Sequence, residues 1–190
     1  ADRYAAQMYR LRYRVFHERL KWDVKVVDDQ EIDVFDDVDS VYLLATDEID
    51  DTVCGGWRLR PTTRGYMLSD VFPDLLAGQE APRHRQVWEI SRFAVDTSDR
   101  ARTAGFTLGD TARKLVESTV RFAIDNQINQ YVLVTSLAVE RLLNSIGLEL
   151  HRFGPPRKIG NVWSIACWVD IDARTRHVAL GEPLPLREAA

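Results

Sequence analysis

Three runs of this chain, VWEISRFAV (87–95), YVLVTS (131–136) and NVWSIACWVDI (161–171), carry apolar residues at both odd and even positions. Successive side chains of a strand point to opposite faces, so strands of this kind must be covered on both sides. The segments between them have the other period. TLGDTARKLVESTVRFAIDNQ repeats Leu108, Ala112, Leu115, Val116, Thr119 and Phe122 or Ala123 at helical spacing, and LAVERLLNSIG reads as a helix stopped by Gly147. Upstream, residues 3–20 place Tyr4, Met8, Leu11 and Val15 on one helical stripe, with Arg12 and Phe16 sharing a neighbouring face. VYLLATD (41–47) and TVCGGWRLRP (52–61) read as a hairpin joined by a polar EIDD turn, and SDVFPDLLAG (69–78) as a short helix capped by Ser69. The order helix, hairpin, strand, helix, strand, helix, strand predicts an α/β fold, a three-layer α/β/α sandwich around one mixed central sheet.

At 190 residues the chain suits a single domain spanning 1–190, long enough to bury roughly 70% of its unfolded surface. No apolar run approaches the ~20 residues needed to span a bilayer, and no basic start leads into an apolar signal segment. The expectation is a cytoplasmic protein without a membrane partner. Cys54 and Cys167 stand far apart without ligand spacing and read as free buried thiols. The chain starts at Ala1 without an initiator methionine, and a short N-terminal segment is expected to be missing.

Charge is distributed unevenly. Residues 23–51 hold twelve carboxylates against Lys25 alone, leaving the remainder at +7; such blocks are most often solvated faces. Within them, KWDVKVVDDQEIDVFDDVDS (21–40) has no clean period and reads as a long loop with room for a helical turn, and long loops in compact domains tend to be functional. Against this background VWEISRFAV places Glu89 and Arg92 inside a buried strand, where an unpaired charge costs several kcal/mol. Their odd spacing sends them to opposite faces of a regular strand, whereas a bulge would turn both into one cleft; the spacing leaves the two equal. Arg12, Arg58 and Arg92 also lie in or beside apolar segments, with Asp33, Asp36 and Glu89 as natural opposites. Three of each sign could close a neutral cluster. Any one of them alone reads more plainly as solvated or snorkelling, but together they point to a site.

Other chemistries find little support. DDQEIDVFDDVD lacks the central glycine and closing glutamate of a calcium loop, and the four histidines have no ligand spacing, so no metal is expected. No hydrolase triad, Walker loop or basic-aromatic interleaving for nucleic acid is present, and RTAGF (102–106) resembles a pyrophosphate loop only faintly.

The set LRYRVFHERLKWD, EIDVFD, WRLRPTT, YMLSDVFPDLL, WEISRFAV and ERLLNSIGLELHRFGPP resembles, in order and spacing, the acyl-homoserine-lactone synthases, the LuxI-type autoinducer synthase family, from about residue 8 to 170. The resemblance places the family's charged and aromatic signature on Arg12, Phe16, Trp22, Asp33, Asp36, Arg58, Glu89 and Arg92. It implies a splayed mixed sheet similar to that of the GCN5-related N-acetyltransferases. It also implies a quorum-sensing enzyme that takes S-adenosylmethionine as a substrate, needs no resident cofactor, and uses an acyl thioester on acyl carrier protein or coenzyme A.

On that reading Glu89 is the base that deprotonates the amine, with Arg92 and Arg58 beside it and backbone amides near 93–107 as oxyanion donors. Arg12, Asp33, Asp36, Phe16 and Trp22 surround S-adenosylmethionine, with Phe16 reading more as core and Trp22 more as ligand wall. The acyl chain runs past Phe93 and between YVLVTS and LAVERLLNSIG, where Thr135 falls at the position implied to meet a 3-oxygen. Arg141, Arg152, Arg157 and Lys158 form a positive group for an acidic carrier protein, although Ser145 stands where some relatives have another base. Two alternatives stay open: an acetyl-coenzyme A-dependent N-acetyltransferase of the same fold, and a non-catalytic ligand- or carrier-binding module.

Overall fold

The computed structural model describes residues 2–98 and 107–184. Helix α1 (Asp2–Arg12) passes directly into π-helical turns (Tyr13–Arg19), so the single helix expected over 3–20 changes its winding just after Arg12. The long loop carries a small antiparallel pair, β1 (Val26–Val27) and β2 (Gln30–Glu31), that its irregular pattern did not announce. The expected hairpin is β3 (Val41–Thr46) and β4 (Val53–Pro61).

SDVFPDLLAG is not one helix capped by Ser69. A single turn, α2 (Met67–Asp70), already contains Ser69, and Pro73–Leu76 forms a separate 3₁₀ turn. Pro73 lacks the N–H that a continuous helix would use, which accounts for the break. Strand β5 (Val87–Val95) is followed by α3 (Leu108–Asp125), whose cap Thr107 accepts the Asp110 N–H. The connection includes residues 99–106, so RTAGF and most of the proposed oxyanion segment lie outside the described residues. Then come β6 (Gln130–Ser136), α4 (Leu137–Ile146), β7 (His151–Arg152), β8 (Arg157–Ile159), β9 (Val162–Asp170) and a closing α5 (Ala173–Leu180). Gly147 ends α4 at φ +108°, a left-handed conformation that glycine adopts without strain.

Seven strands form the sheet in the order β3-β4-β5-β6-β9, with β7 and β8 both on the free edge of β9. Among the described residues only β5 and β6 are parallel, and they pair from Val87–Gln130 to Ile90–Leu133. Beyond that point β5 follows β4 and β6 follows β9, so the sheet splays open. One face is covered by α3, α4 and α5 around Trp57, Leu59, Ile90, Leu115, Leu133 and Ile165. The other face is covered by α1 with its π-turns over Val53 and Ala94, and by α2 with the 3₁₀ turn over Val132 and Ala166. The three-layer expectation therefore holds, and Cys54 and Cys167 are free and buried.

Candidate active site

Along β4, Trp57 and Leu59 enter the core under α3, which sends Arg58 and Arg60 to the opposite face. On β5 the register slips between Gly56 and Arg58: Ser91 opposes Arg58 and Ala94 opposes Gly56, so Arg92 and Phe93 together oppose Trp57. This is a β-bulge, with Arg92 at φ +58°. The bulge puts Glu89, Ser91 and Arg92 on one face and Phe93 on the other, against Trp57 at 5.6 Å. The question left equal by the spacing is answered by a bulge at the splay point.

A closed network of six charges fills this face. Arg12 donates from Nε to Glu31 at 2.5 Å and from both Nη atoms to Asp36 at 2.7 and 2.8 Å. Arg58 donates to Asp33 at 2.6 and 3.1 Å, to Asp36 at 2.8 Å and to Ser91 Oγ at 3.1 Å. Arg92 reaches Glu31 at 3.0 Å and Asp33 at 2.6 Å. The acidic residues are held by a local turn in which Asp33 accepts the Phe35 N–H and Asp36 accepts the Asp33 N–H, both at 2.8 Å. Tyr42 adds a hydroxyl to Asp36 at 2.7 Å.

Burial alone would lower the Arg12 and Arg58 pKa values, but the facing carboxylates outweigh it and raise both. For Asp36 burial opposes ionisation, and Arg12 and Arg58 overcome it, holding the carboxyl well below its ordinary range. At Arg92 burial prevails and the pKa falls. Four of the six side chains are at most 1% exposed; Asp33 at 14% and Arg92 at 12% form the only part of the network that meets solvent. Beside this opening Phe16 lies under the Arg92 guanidinium at 5.7 Å and stacks on Trp22 at 5.2 Å, with ring planes 3° apart. Phe16 is core, as expected, while Trp22 covers it with 36% of its surface exposed.

The sequence-based grouping needs one correction. Glu89 does not belong to the neutral cluster; its third carboxylate is Glu31, which is fully buried and bridges Arg12 and Arg92. Glu31 stood in an acidic run where nothing local set it apart from its neighbours. Pairing in β2 is what turns it inward. Glu89 instead receives the Leu68 N–H at 2.7 Å and the Met67 N–H at 3.0 Å, at the first turn of α2. Burial pushes its pKa up to about 7 against the pull of those two amides, Arg58 and Arg92.

On the opposite face an apolar cavity of about 30 Å³ lies between the sheet and α3 and α4, lined by Trp57, Ile90, Tyr131, Leu133 and Leu143 among others. Thr135 follows Tyr131 and Leu133 with the same parity, so it stands on this face just past the splay. The four basic residues expected to act together divide. Arg152 is engaged by Glu140 through two bonds of 2.6 Å. Lys158 and Arg157 pair with Trp163 and Ser164 of β9, so adjacent register positions send them to opposite faces.

The sequence pattern of the family described as Autoinducer synthase matches residues 2–178. The chain belongs to this family. The acyl-homoserine-lactone synthase of Pseudomonas aeruginosa is 37% identical to it over 176 residues, 92% of this chain and 86% of that protein. Among solved structures, the synthase LasI matches with a TM-score of 0.88 at 34% identity, covering 99% of this chain and 93% of LasI. The coenzyme A-dependent synthase BjaI, solved with SAM and isopentyl-CoA, matches with a TM-score of 0.81 at 32% identity over 96% of this chain and 84% of its own. A protein of Lactobacillus plantarum described as an N-acetyltransferase, 15% identical with a TM-score of 0.59, shares the fold alone. The autoinducer synthase is thus an acyltransferase on an acetyltransferase-like scaffold.

Proposed function

We propose that the enzyme transfers an acyl group from a thioester to the α-amine of S-adenosylmethionine and then closes the product to an N-acyl-homoserine lactone, releasing methylthioadenosine. The observation that carries this reading is the placement of two unlike sites on the two faces of one splayed strand. A neutral charged network opens at Asp33 and Arg92 beside an aromatic pair, and an apolar cavity lies behind it. A substrate bearing a sulfonium, an ammonium and a carboxylate needs both signs within reach, and the opening offers one of each. Trp22 supplies the face for the sulfonium or adenine. The binding of SAM and isopentyl-CoA by BjaI supports the same pair of substrate types.

Glu89, with its pKa raised to about 7, suits a general base near neutrality. Each of its oxygens accepts one amide and keeps a lone pair, so a water between Glu89 and the amine can relay the proton. The amine attacks the thioester carbonyl, the tetrahedral intermediate expels the thiolate, and that thiolate takes up the proton. The methionine carboxylate then attacks its own γ-carbon and displaces methylthioadenosine. The sulfonium is already a leaving group, so this step asks for positioning and for no resident cofactor.

The acyl chain lies along this apolar face, past Phe93 and Thr135, and the cavity of about 30 Å³, room for little more than one water, must widen to admit it. Arg141 and Lys158, exposed and without ion pairs among the described residues, attract an acidic acyl carrier protein, while Arg152 is neutralised by Glu140 and Arg157 lies on the other face. No helix among the described residues is long and apolar enough to cross a membrane. Both substrates are cytoplasmic compounds, which supports a cytoplasmic enzyme. The test is incubation with S-adenosylmethionine and a panel of acyl carrier protein and acyl-coenzyme A thioesters, read by mass spectrometry. Lactone and methylthioadenosine in equal amounts are expected, and their absence with every donor rejects the reading.

A further inference from the structure

Arg60 lies outside the six-charge network, yet only 4% of it is exposed and every arm of its guanidinium is engaged. Nε donates to the Gly65 carbonyl at 2.5 Å. Nη1 donates to the Phe35 carbonyl at 3.1 Å and to Ser40 Oγ at 3.0 Å, and the Asp37 carboxylate is held by both Nη atoms at 2.5 and 2.8 Å. The Phe35 ring sits under two guanidiniums, those of Arg58 and Arg60, each at 5.6 Å. Arg60 therefore grips the segment that presents Asp33 and Asp36 and, at the same time, the turn that leads into α2.

The sheet register makes that second grip informative. Arg60 and Glu89 are direct cross-strand partners, so their side chains stand next to each other on one face. Arg60 holds the turn at Gly65, and Glu89 holds it two and three residues later through Met67 and Leu68. A surface ion pair with Asp37, whose side chain is 41% exposed, would not require burial of the arginine. The Gly65 carbonyl does, because Arg60 is the donor it accepts from, whereas the Phe35 carbonyl also accepts from Ser40 Oγ at 2.6 Å.

We infer that Arg60 is a positioning residue that clasps the acidic loop to the first turn of α2, setting the carboxylates that receive S-adenosylmethionine in register with Glu89. The inference rests on the acyltransferase reading and names a part of its machinery that touches no substrate. Lysine cannot replace it, since a single ammonium has no fork with which to hold Gly65 and Asp37 together.

The experiment compares wild type, Arg60→Met, Arg60→Lys and Asp37→Asn after thermal unfolding shows each to be folded. The Michaelis constant for S-adenosylmethionine, the turnover number and the pH profile of turnover are measured. Loss of the clasp loosens the amides on Glu89, which is faced by Arg58 and Arg60 from β4, Arg92 from its own strand, Tyr66 before α2 and only Val132 from β6. Arg60→Met is expected to raise the Michaelis constant about tenfold and move the acid limb of the profile to higher pH. Arg60→Lys recovers only part of both effects, and Asp37→Asn, at the exposed end, shows a smaller change in the same direction. A merely structural role lowers turnover through a smaller folded fraction and leaves the Michaelis constant and the pH profile where they were; that result overturns the inference. Full recovery with lysine overturns it too. Should Arg60→Met not fold, Asp37→Asn decides by the same readouts, and an unchanged Michaelis constant and profile there refute the clasp. Wild type that forms no lactone with any donor refutes the acyltransferase reading itself, and the inference falls with it.

Discussion

Replacing Glu31 with glutamine is the sharpest perturbation of the network. The side chain keeps its size, but the buried site loses one negative charge, and Arg12 and Arg92 are left sharing a single neutral oxygen where each had a carboxylate oxygen at 2.5 and 3.0 Å. The amide nitrogen adds a donor among donors. Removing one partner of a buried ion pair costs about 3–5 kcal/mol, since the other charge stays desolvated. With about 2–4 °C of midpoint per kcal/mol for a chain of this size, Glu31→Gln is expected to melt roughly 6–20 °C below wild type. Urea unfolding followed by circular dichroism measures the difference, and a cycle with Arg12→Met isolates the pair. Glu31 faces no solvent, so a loss below about 1 kcal/mol would show that the three arginines and three carboxylates do not act as one unit. Asp36 sets the pH sense: its pKa is depressed below the ordinary 3.8, so its stabilisation is complete above that value and is lost as the pH falls through the depressed one.

Three further outcomes are expected. Glu89→Gln lowers turnover by about 10²-fold or more with little change in the Michaelis constant for S-adenosylmethionine, and abolishes an acid limb near pH 7; equal losses in binding and turnover would make Glu89 a brace for α2 in place of a base. Trp22→Ala raises the Michaelis constant for S-adenosylmethionine roughly five- to tenfold, as loss of about 1 kcal/mol of stacking requires, and unchanged binding by calorimetry would return Trp22 to a cover for Phe16. Arg141→Glu with Lys158→Glu weakens acyl carrier protein donors at least tenfold while sparing coenzyme A donors, and equal loss with both would remove the docking role from this edge.

Much of the site could be read from the chain because buried charge is conspicuous within an apolar period. Arg12 in a helical stripe, Arg58 in a hairpin strand and Arg92 in VWEISRFAV each stood out for that reason, and Asp33 and Asp36 are bound together by a turn that DVFD encodes locally. Glu31 did not stand out, because its burial depends on a two-residue strand pairing within an acidic loop and on arginines 19 and 61 positions away. The division of Arg157 from Lys158 was hidden for a similar cause: it depends on which β9 residues they oppose.

Sequence alone determined the layers. Two-sided apolar runs must become inner strands, and one-sided helical stripes must lie on them, whatever the chain does elsewhere. Only the tertiary structure decided which carboxylate joins which guanidinium, that β5 bulges at Arg92, and that Glu89 faces the amides of α2. Periodicity is a property of neighbours along the chain and records how deeply a residue is buried. Partnership depends on register between strands far apart in sequence, where a shift of one residue exchanges the two faces of the sheet.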